Sequence, residues 1–186
     1  MSGEENMRQD IQTLAGVERG EIPPTVRFFR FAEPTVTFGR LQKPKDIAPL
    51  SPQGWELVQR PTGGGLVFHQ NDLCLSLCWP RGQAPLPQRP QDQYRWIHGV
   101  ILEAMGSGFR MAPCCDTQPA PTPFATRECF TSPVGYDVLS SDRKVVGGAL
   151  SCHRQATLYQ GAIHIPLTTD AEAQLRAAFE NGLRDL

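Results

Sequence analysis

A chain of 186 residues with 40% apolar and 20% charged residues is long enough to bury a core of its own and too apolar to stay disordered or fibrous. Basic and acidic residues are interspersed and leave a net charge of -1, so no whole-protein field gathers nucleic acid or anionic lipid, and an anionic substrate must be met by a local site. The opening Met1-Ser2-Gly3-Glu4-Glu5-Asn6 has neither the basic start nor the apolar run of a secretion signal, and no later stretch is long enough to span a bilayer, so the expectation is a cytoplasmic protein whose six cysteines are thiols.

Glu4 to Val17 is predicted to be a helix, because Met7, Ile11 and Leu14 recur at helical spacing and Gly20 with Pro23-Pro24 ends the run. Val26 to Ala32 and Thr35 to Phe38 are β-branched and aromatic runs that turn at Glu33-Pro34, and Trp55 to Gln59 is a third strand. After Thr62-Gly63-Gly64-Gly65 come Leu66-Val67-Phe68 and then Leu73 to Cys78, whose leucines alternate with small residues at period two, so the glycines link strand to strand. Arg81 to Pro90 reads as an irregular loop, and Tyr94, Ile97, Ile101 and Leu102 mark a second helix that ends at Gly106 or Gly108. Pro113 to Pro123 is a long proline-rich connection leading to Cys129. Tyr136 to Leu139 and Val145 to Leu150 flank a hairpin turn at Ser140 to Arg143, and Thr157 to Ile165 is a further strand. Thr169-Asp170-Ala171-Glu172 has capping-box spacing, and Leu175, Phe179 and Leu183 form the apolar face of a last helix. There is no internal repeat and no second composition block. The expected architecture is one α+β domain over residues 1–186, a largely antiparallel or mixed sheet with packed helices.

Two segments bear on chemistry. Arg60-Pro61-Thr62-Gly63-Gly64-Gly65-Leu66-Val67-Phe68-His69 contains three consecutive glycines, more than a hairpin needs. Such a run fits a ligand-facing loop whose amides meet an anion or a carbonyl, with Arg60 supplying charge, and fits a flexible hairpin tip equally well. A phosphate-binding P-loop is excluded, since no Gly-Lys-Ser/Thr follows and the next element is a strand. In Asp142-Arg143-Lys144-Val145-Val146-Gly147-Gly148-Ala149 a lysine enters a β-branched run that closes on two glycines. By itself such a lysine is more often a solvated edge charge than a catalytic group.

Together and in this order, the two segments resemble the biotin and lipoate protein ligase superfamily, above all its lipoate-protein ligase and octanoyltransferase branch. There an Arg-x-x-Gly-Gly-Gly-x-Val-x-His strand-loop-strand precedes a Gly-Arg-Lys-Val-x-Gly-x-Ala hairpin with an essential lysine. Here these are Arg60 to His69 and Asp142 to Ala149, with Asp142 in the glycine position. Asn6-Met7 with Asp10, Pro34-Thr35 with Gly39 and Gln42, and Gln160 to Ile163 also resemble family segments. The resemblance implies that Gly63, Gly64, Gly65, Arg60 and Gly147 shape the acyl and phosphate site. It also implies that Lys144 meets the acyl carbonyl or an adenylate phosphate, with His69 and Asp137 as neighbours. For His69 a satisfied strand histidine is an equal alternative, and for Asp137 a simple ion pair.

Cys129, in Glu128-Cys129-Phe130-Thr131-Ser132-Pro133, occupies the place where a branch of octanoyltransferases similar to lipoate ligases carries its nucleophile. The resemblance therefore implies octanoyl or lipoyl transfer from an acyl-carrier thioester, through acyl-Cys129, to a lysine of a lipoyl-domain protein, without a further cofactor. The alternative is a ligase that uses ATP and magnesium to make lipoyl-adenylate from free lipoate, for which Cys129 is ancillary. Many such ligases carry an extra C-terminal domain, and the short segment after the Gly161 strand leans toward the transferase or toward a ligase that borrows a partner polypeptide. A third reading is a binding protein for lipoate, or biotin, without chemistry. The expected partners are the lipoyl-domain acceptor and an acyl carrier protein, with no nucleic acid and no membrane. Cys74 and Cys78 on one strand, the Cys114-Cys115 pair and Cys152-His153 lack zinc-site spacing, so no metal is expected.

Overall fold

The computed structural model describes residues 1–82, 87–114 and 126–184. An α+β fold of two sheets and packed helices results, and among the described residues no helix is long and apolar enough to cross a membrane.

The larger sheet is antiparallel throughout and has the strand order β1 (Thr25–Phe29), β5 (Leu73–Pro80), β9 (Ala156–Ile163), β8 (Arg143–Cys152), β7 (Val138–Ser140) and β6 (Phe109–Met111). The smaller sheet places β2 (Thr35–Phe38) between β3 (Glu56–Gln59), which is parallel to it, and β4 (Val67–His69), which is antiparallel. The corner at Glu33-Pro34 therefore moves the chain from one sheet to the other. Between β2 and β3 the path includes the short helix α2 (Pro44–Ile47).

Period two in β5 describes two buried faces. Leu73, Leu75 and Leu77 pack under α3 (Pro90–Met105) and α4 (Thr169–Arg184), where Ile97, Ile101, Leu175 and Phe179 are all fully buried. Cys74, Ser76 and Cys78 lie on the opposite face, where their small size lets α1 (Gly3–Glu18) approach the sheet, and Leu14 and Val17 cover Cys78 and Leu158. Burial pushes the Cys78 thiol up to about 12.

Several boundaries differ from the sequence expectation. Ile11 is 51% exposed and Asp10 takes its place on the buried face of α1, because its carboxylate is satisfied there. Arg27 donates to Asp10 Oδ1 at 2.6 Å, Ser76 donates to the same oxygen at 2.7 Å, and Gln160 donates to Oδ2 at 2.6 Å. At the start of α4 the hydroxyl that accepts from Ala171 N belongs to Thr168 rather than Thr169, while Glu172 pairs with Arg30 and Arg176. The edge strand β6 and helix α2 have no counterpart in the sequence expectation, since three or four residues carry no measurable period. Residues 83–86 of the first proline-rich loop and 115–123 of the second, Cys115 among them, fall outside the described residues.

Candidate active site

The glycine loop runs from the end of β3 to the start of β4, along the seam between the sheets. Its shape is held from inside by Arg60, which is 8% exposed. The guanidinium donates to Thr37 Oγ1 at 2.6 Å, to the Gly65 carbonyl at 2.7 Å and to the Gly63 carbonyl at 3.1 Å. Burial lowers its pKa from the usual arginine value. Gly64 has φ +89°, a conformation that favours glycine.

Gly65 is required for a different reason. A Cβ there would collide with the Arg127 carbonyl oxygen, because the incoming 127–129 segment lies directly against the loop. Leu66 N donates to Arg127 O and Cys129 N donates to Leu66 O, both at 2.8 Å, so Leu66 and Glu128 form a parallel bridge. The glycine loop is thus the backbone dock for Cys129.

From the other side, β8 brings Lys144 to the same cysteine. Its side chain lies across Gly147, where a Cβ would overlap Lys144 Cε. Nζ sits 2.9 Å from Asp137 Oδ2, 3.0 Å from the Cys129 carbonyl oxygen and 3.4 Å from Cys129 Sγ, so its three protons have three acceptors. Burial pulls the ammonium's pKa down, but the Cys129 sulfur and the Asp137 carboxylate outweigh it and the pKa is raised. Lys144 is 4% exposed and is therefore no solvated edge charge.

Asp137, fully buried, is fixed in turn: Tyr94 donates to Oδ1 at 2.6 Å and Val134 N donates to Oδ2 at 2.7 Å. The Tyr94 oxygen accepts the amide proton of Gly148 at 3.0 Å. Nothing in the sequence beyond a tyrosine on the buried side of a helix pointed to this bridge. Behind it, His98 Nδ1 meets the Tyr136 carbonyl at 2.8 Å and Nε2 meets the Tyr159 hydroxyl at 2.7 Å. The carbonyl can only accept, so Nδ1 carries a proton, and burial disfavours a second one on Nε2.

A cleft partly open to solvent runs along the seam. Cys129, Phe130, Arg60 and Gly147 line one part of it; Phe29, Phe31, Val67 and Leu75 supply apolar wall. Of the expected site residues, His69 also lines the cleft, whereas Gly63, Gly64, Gly65, Asp137 and Lys144 are not among its lining residues. Gln160, another lining residue, joins loop to helix: it accepts from Thr62 Oγ1 at 2.7 Å and donates to Asp10.

His69 belongs to a second buried group. Thr37 Oγ1 lies 2.8 Å from its Nε2, and Asp72 Oδ2 lies 2.7 Å from its Nδ1. Burial lowers the His69 pKa. Asp72 resists desolvation through His164 and His69, which hold its carboxyl well below the usual range. His69, Asp72 and His164 are the one set among the described residues whose ligand atoms lie close enough for a metal ion.

Comparison with known proteins places these features in context. The family model described as the lipoyl protein ligase A/B catalytic domain matches residues 2–181. An octanoyltransferase LipM of Kyrpidia tusciae is 31% identical over 173 residues, covering 89% of this chain and 63% of that protein. The chain thus spans less than two thirds of its relative's length. A T. acidophilum protein assigned to the lipoate protein ligases, solved with bound lipoic acid, superposes with a TM-score of 0.70 at 17% identity, covering 99% of this chain and 82% of that one. A lipoate-protein ligase A bound with ATP superposes at 0.65 and 18% identity, over 100% and 82% of the two chains. These likenesses confirm the α+β catalytic-domain fold.

Proposed function

The chain belongs to the lipoyl protein ligase A/B catalytic-domain family, and on that premise we propose that it attaches an octanoyl or lipoyl group to a lysine of a lipoyl-domain protein in the reducing cytoplasm. The seam cleft, apolar along one wall and bounded by Cys129 and Arg60, accommodates a short acyl chain with its carboxyl carbon at the cysteine.

The single observation that carries the chemistry is the 3.4 Å contact between Lys144 Nζ and Cys129 Sγ. A buried ammonium beside a cysteine that lines a largely apolar cleft is a counter-charge for the thiolate. In this route the Cys129 thiolate attacks the carbonyl of an acyl-carrier thioester, the carbonyl carbon to carrier sulfur bond breaks, and the carrier leaves as a thiolate that takes a proton from solvent. The neutral amine of the acceptor lysine then attacks acyl-Cys129, the carbonyl carbon to Sγ bond breaks, and the amide forms as the thiolate returns and the nitrogen gives one proton to solvent. Lys144 offsets negative charge on sulfur and oxygen in both steps, and Asp137 keeps Lys144 aimed. Gly65 and Leu66 fix the backbone of Cys129 so that Sγ meets the carbonyl at a set angle.

A second reading, activation of free lipoate or octanoate with ATP, draws support from the solved neighbours, which include a ligase holding ATP and a protein holding lipoic acid. On this route Lys144 would face the adenylate. The fit of a triphosphate is partial: Arg60 is the one cation among the cleft's described lining residues, and three of its contacts already go to Thr37, Gly63 and Gly65. Parallel reactions with octanoyl-loaded acyl carrier protein, and with lipoate plus ATP and magnesium, separate the two. Transfer from the carrier without pyrophosphate release supports the thioester route. Lipoate-dependent pyrophosphate release with no use of the carrier supports the ligase, and no acyl transfer from either donor contradicts both.

A further inference from the structure

The His69, Asp72 and His164 group lies outside the Cys129 and Lys144 constellation. His69 ends β4 in the small sheet, Asp72 sits in the turn before β5, and His164 follows β9 in the large sheet. All three converge on a single oxygen. Asp72 Oδ2 lies 2.7 Å from His69 Nδ1, 3.4 Å from His164 Nε2 and 3.5 Å from Cys74 Sγ, and that sulfur is also 3.5 Å from His69 Nδ1. Asp72 Oδ1 is turned away and accepts from Gln70 N at 3.0 Å. His69, Asp72 and Cys74 are all buried. His164 Nε2 is a buried nitrogen without a well-formed hydrogen bond, although it points at Asp72, and its ring is fixed by a coplanar stack on Phe130, 3.7 Å between centroids.

We propose that His69, Asp72 and His164, with Cys74 at their side, form a binding site for a zinc-class divalent cation that cross-links the two sheets at the edge of the cleft. Donor atoms held about 2.0–2.3 Å from one zinc ion lie roughly 3.3–3.7 Å apart in a tetrahedral shell. The His164 to Asp72 and Cys74 to Asp72 separations already match, and the His69 to Asp72 hydrogen bond need open only by about 0.6 Å to reach that range. Two imidazoles and a carboxylate beside a thiol favour zinc or cobalt over magnesium or calcium, which seek oxygen shells. The outer partner is also in place: with Nδ1 on the metal, Nε2 of His69 carries the ring proton and donates it to Thr37 Oγ1, itself fixed by Arg60. The His69 proton thus moves from Nδ1 to Nε2, and a Cys74 that ligates gives its thiol proton to solvent.

The test uses the whole chain with cobalt(II) as spectroscopic probe and zinc(II) as competitor. Because Cys114 and Cys152 are exposed thiols, both are first changed to serine. The proposal predicts saturable one-to-one cobalt binding with the intense visible bands of a tetrahedral site, displaced by zinc. It also predicts a zinc-dependent rise in melting temperature that grows with free zinc, as expected for a ligand of the folded state. H164Q, which leaves His69 and Asp72 untouched, should weaken binding at least ~100-fold by loss of one of three ligands. Absence of saturable binding, or binding that H164Q leaves unchanged, overturns the proposal. Neither readout depends on acyl transfer, so failure here is distinguishable from failure of the enzymatic reading.

Discussion

Tyr94 gives its hydroxyl proton to Asp137 at 2.6 Å and takes the amide proton of Gly148 at 3.0 Å, so one helical side chain ties the aspartate that holds Lys144 to the strand that carries Lys144. Tyr94→Phe removes this bridge and leaves a buried carboxylate oxygen and a buried amide short of a partner. A loss of about 2–3 kcal/mol in unfolding free energy is expected for that pair of groups. On the proposed mechanism kcat falls roughly 10-fold, while KM for the acyl donor stays within about 2-fold, since Tyr94 does not line the cleft. Urea unfolding beside steady-state kinetics checks both.

Gly147→Ala puts a methyl group where Lys144 Cε lies. The ammonium must leave Cys129, and acyl transfer should drop by about 10²-fold or more, the scale seen when one charge-stabilising donor is removed. The strand continues on both sides, so circular dichroism should remain that of the parent. Full activity with an unchanged spectrum would show that Lys144 can work from another position.

Asp137→Asn leaves Lys144, 4% exposed, without its charged partner. Breaking a buried pair on one side costs about 3–5 kcal/mol. The variant should melt well below the parent, whereas removing the exposed pair of Arg110 and Asp142 at 2.7 Å should change stability by under ~1 kcal/mol. Comparative melting of Asp137→Asn and Arg110→Ala measures the contrast.

Burial drives His98 down to about 3 from its ordinary 6.5, against the hydrogen bond to Tyr136. The folded state keeps the ring neutral where the unfolded chain is protonated, so its contribution to stability is full above pH ~6.5 and is lost as pH falls toward ~3. Between pH 6.5 and 4.5 the loss from this group is about 2–3 kcal/mol. Urea unfolding at these two values should show that slope in the parent and a shallower one in His98→Gln.

The architecture was largely legible in the sequence because it rests on patterns that repeat: the leucines of β5, the face of Leu175, Phe179 and Leu183, and the glycines that join β3 to β4. The site was legible only in part. The sequence offers Arg60 as a charge for a ligand; it lines the cleft, and its guanidinium also donates to Gly63, Gly65 and Thr37. The triple glycine fits a ligand-facing loop and a flexible hairpin tip equally well by sequence, and Gly65 makes room for the Arg127 carbonyl and so for Cys129. The Gly65 role depends on a segment more than 60 positions away lying in contact, and the Arg60 role on how its own loop folds back over the guanidinium, neither of which a local period encodes. Asp10 shows the same limit from the other direction: a buried carboxylate looks wrong on a helix face until Arg27, Ser76 and Gln160 are seen around it.

The central claim is that Cys129, docked on the glycine loop and paired with Lys144, accepts the acyl group. Intact-mass measurement after mixing the protein with octanoyl-loaded acyl carrier protein tests it directly. The account predicts a mass increase of one octanoyl group, located on Cys129, absent in Cys129→Ser and discharged when a lipoyl-domain acceptor is added. Octanoylation of the acceptor at parental rate by Cys129→Ser, with no adduct on the parent chain, would contradict it.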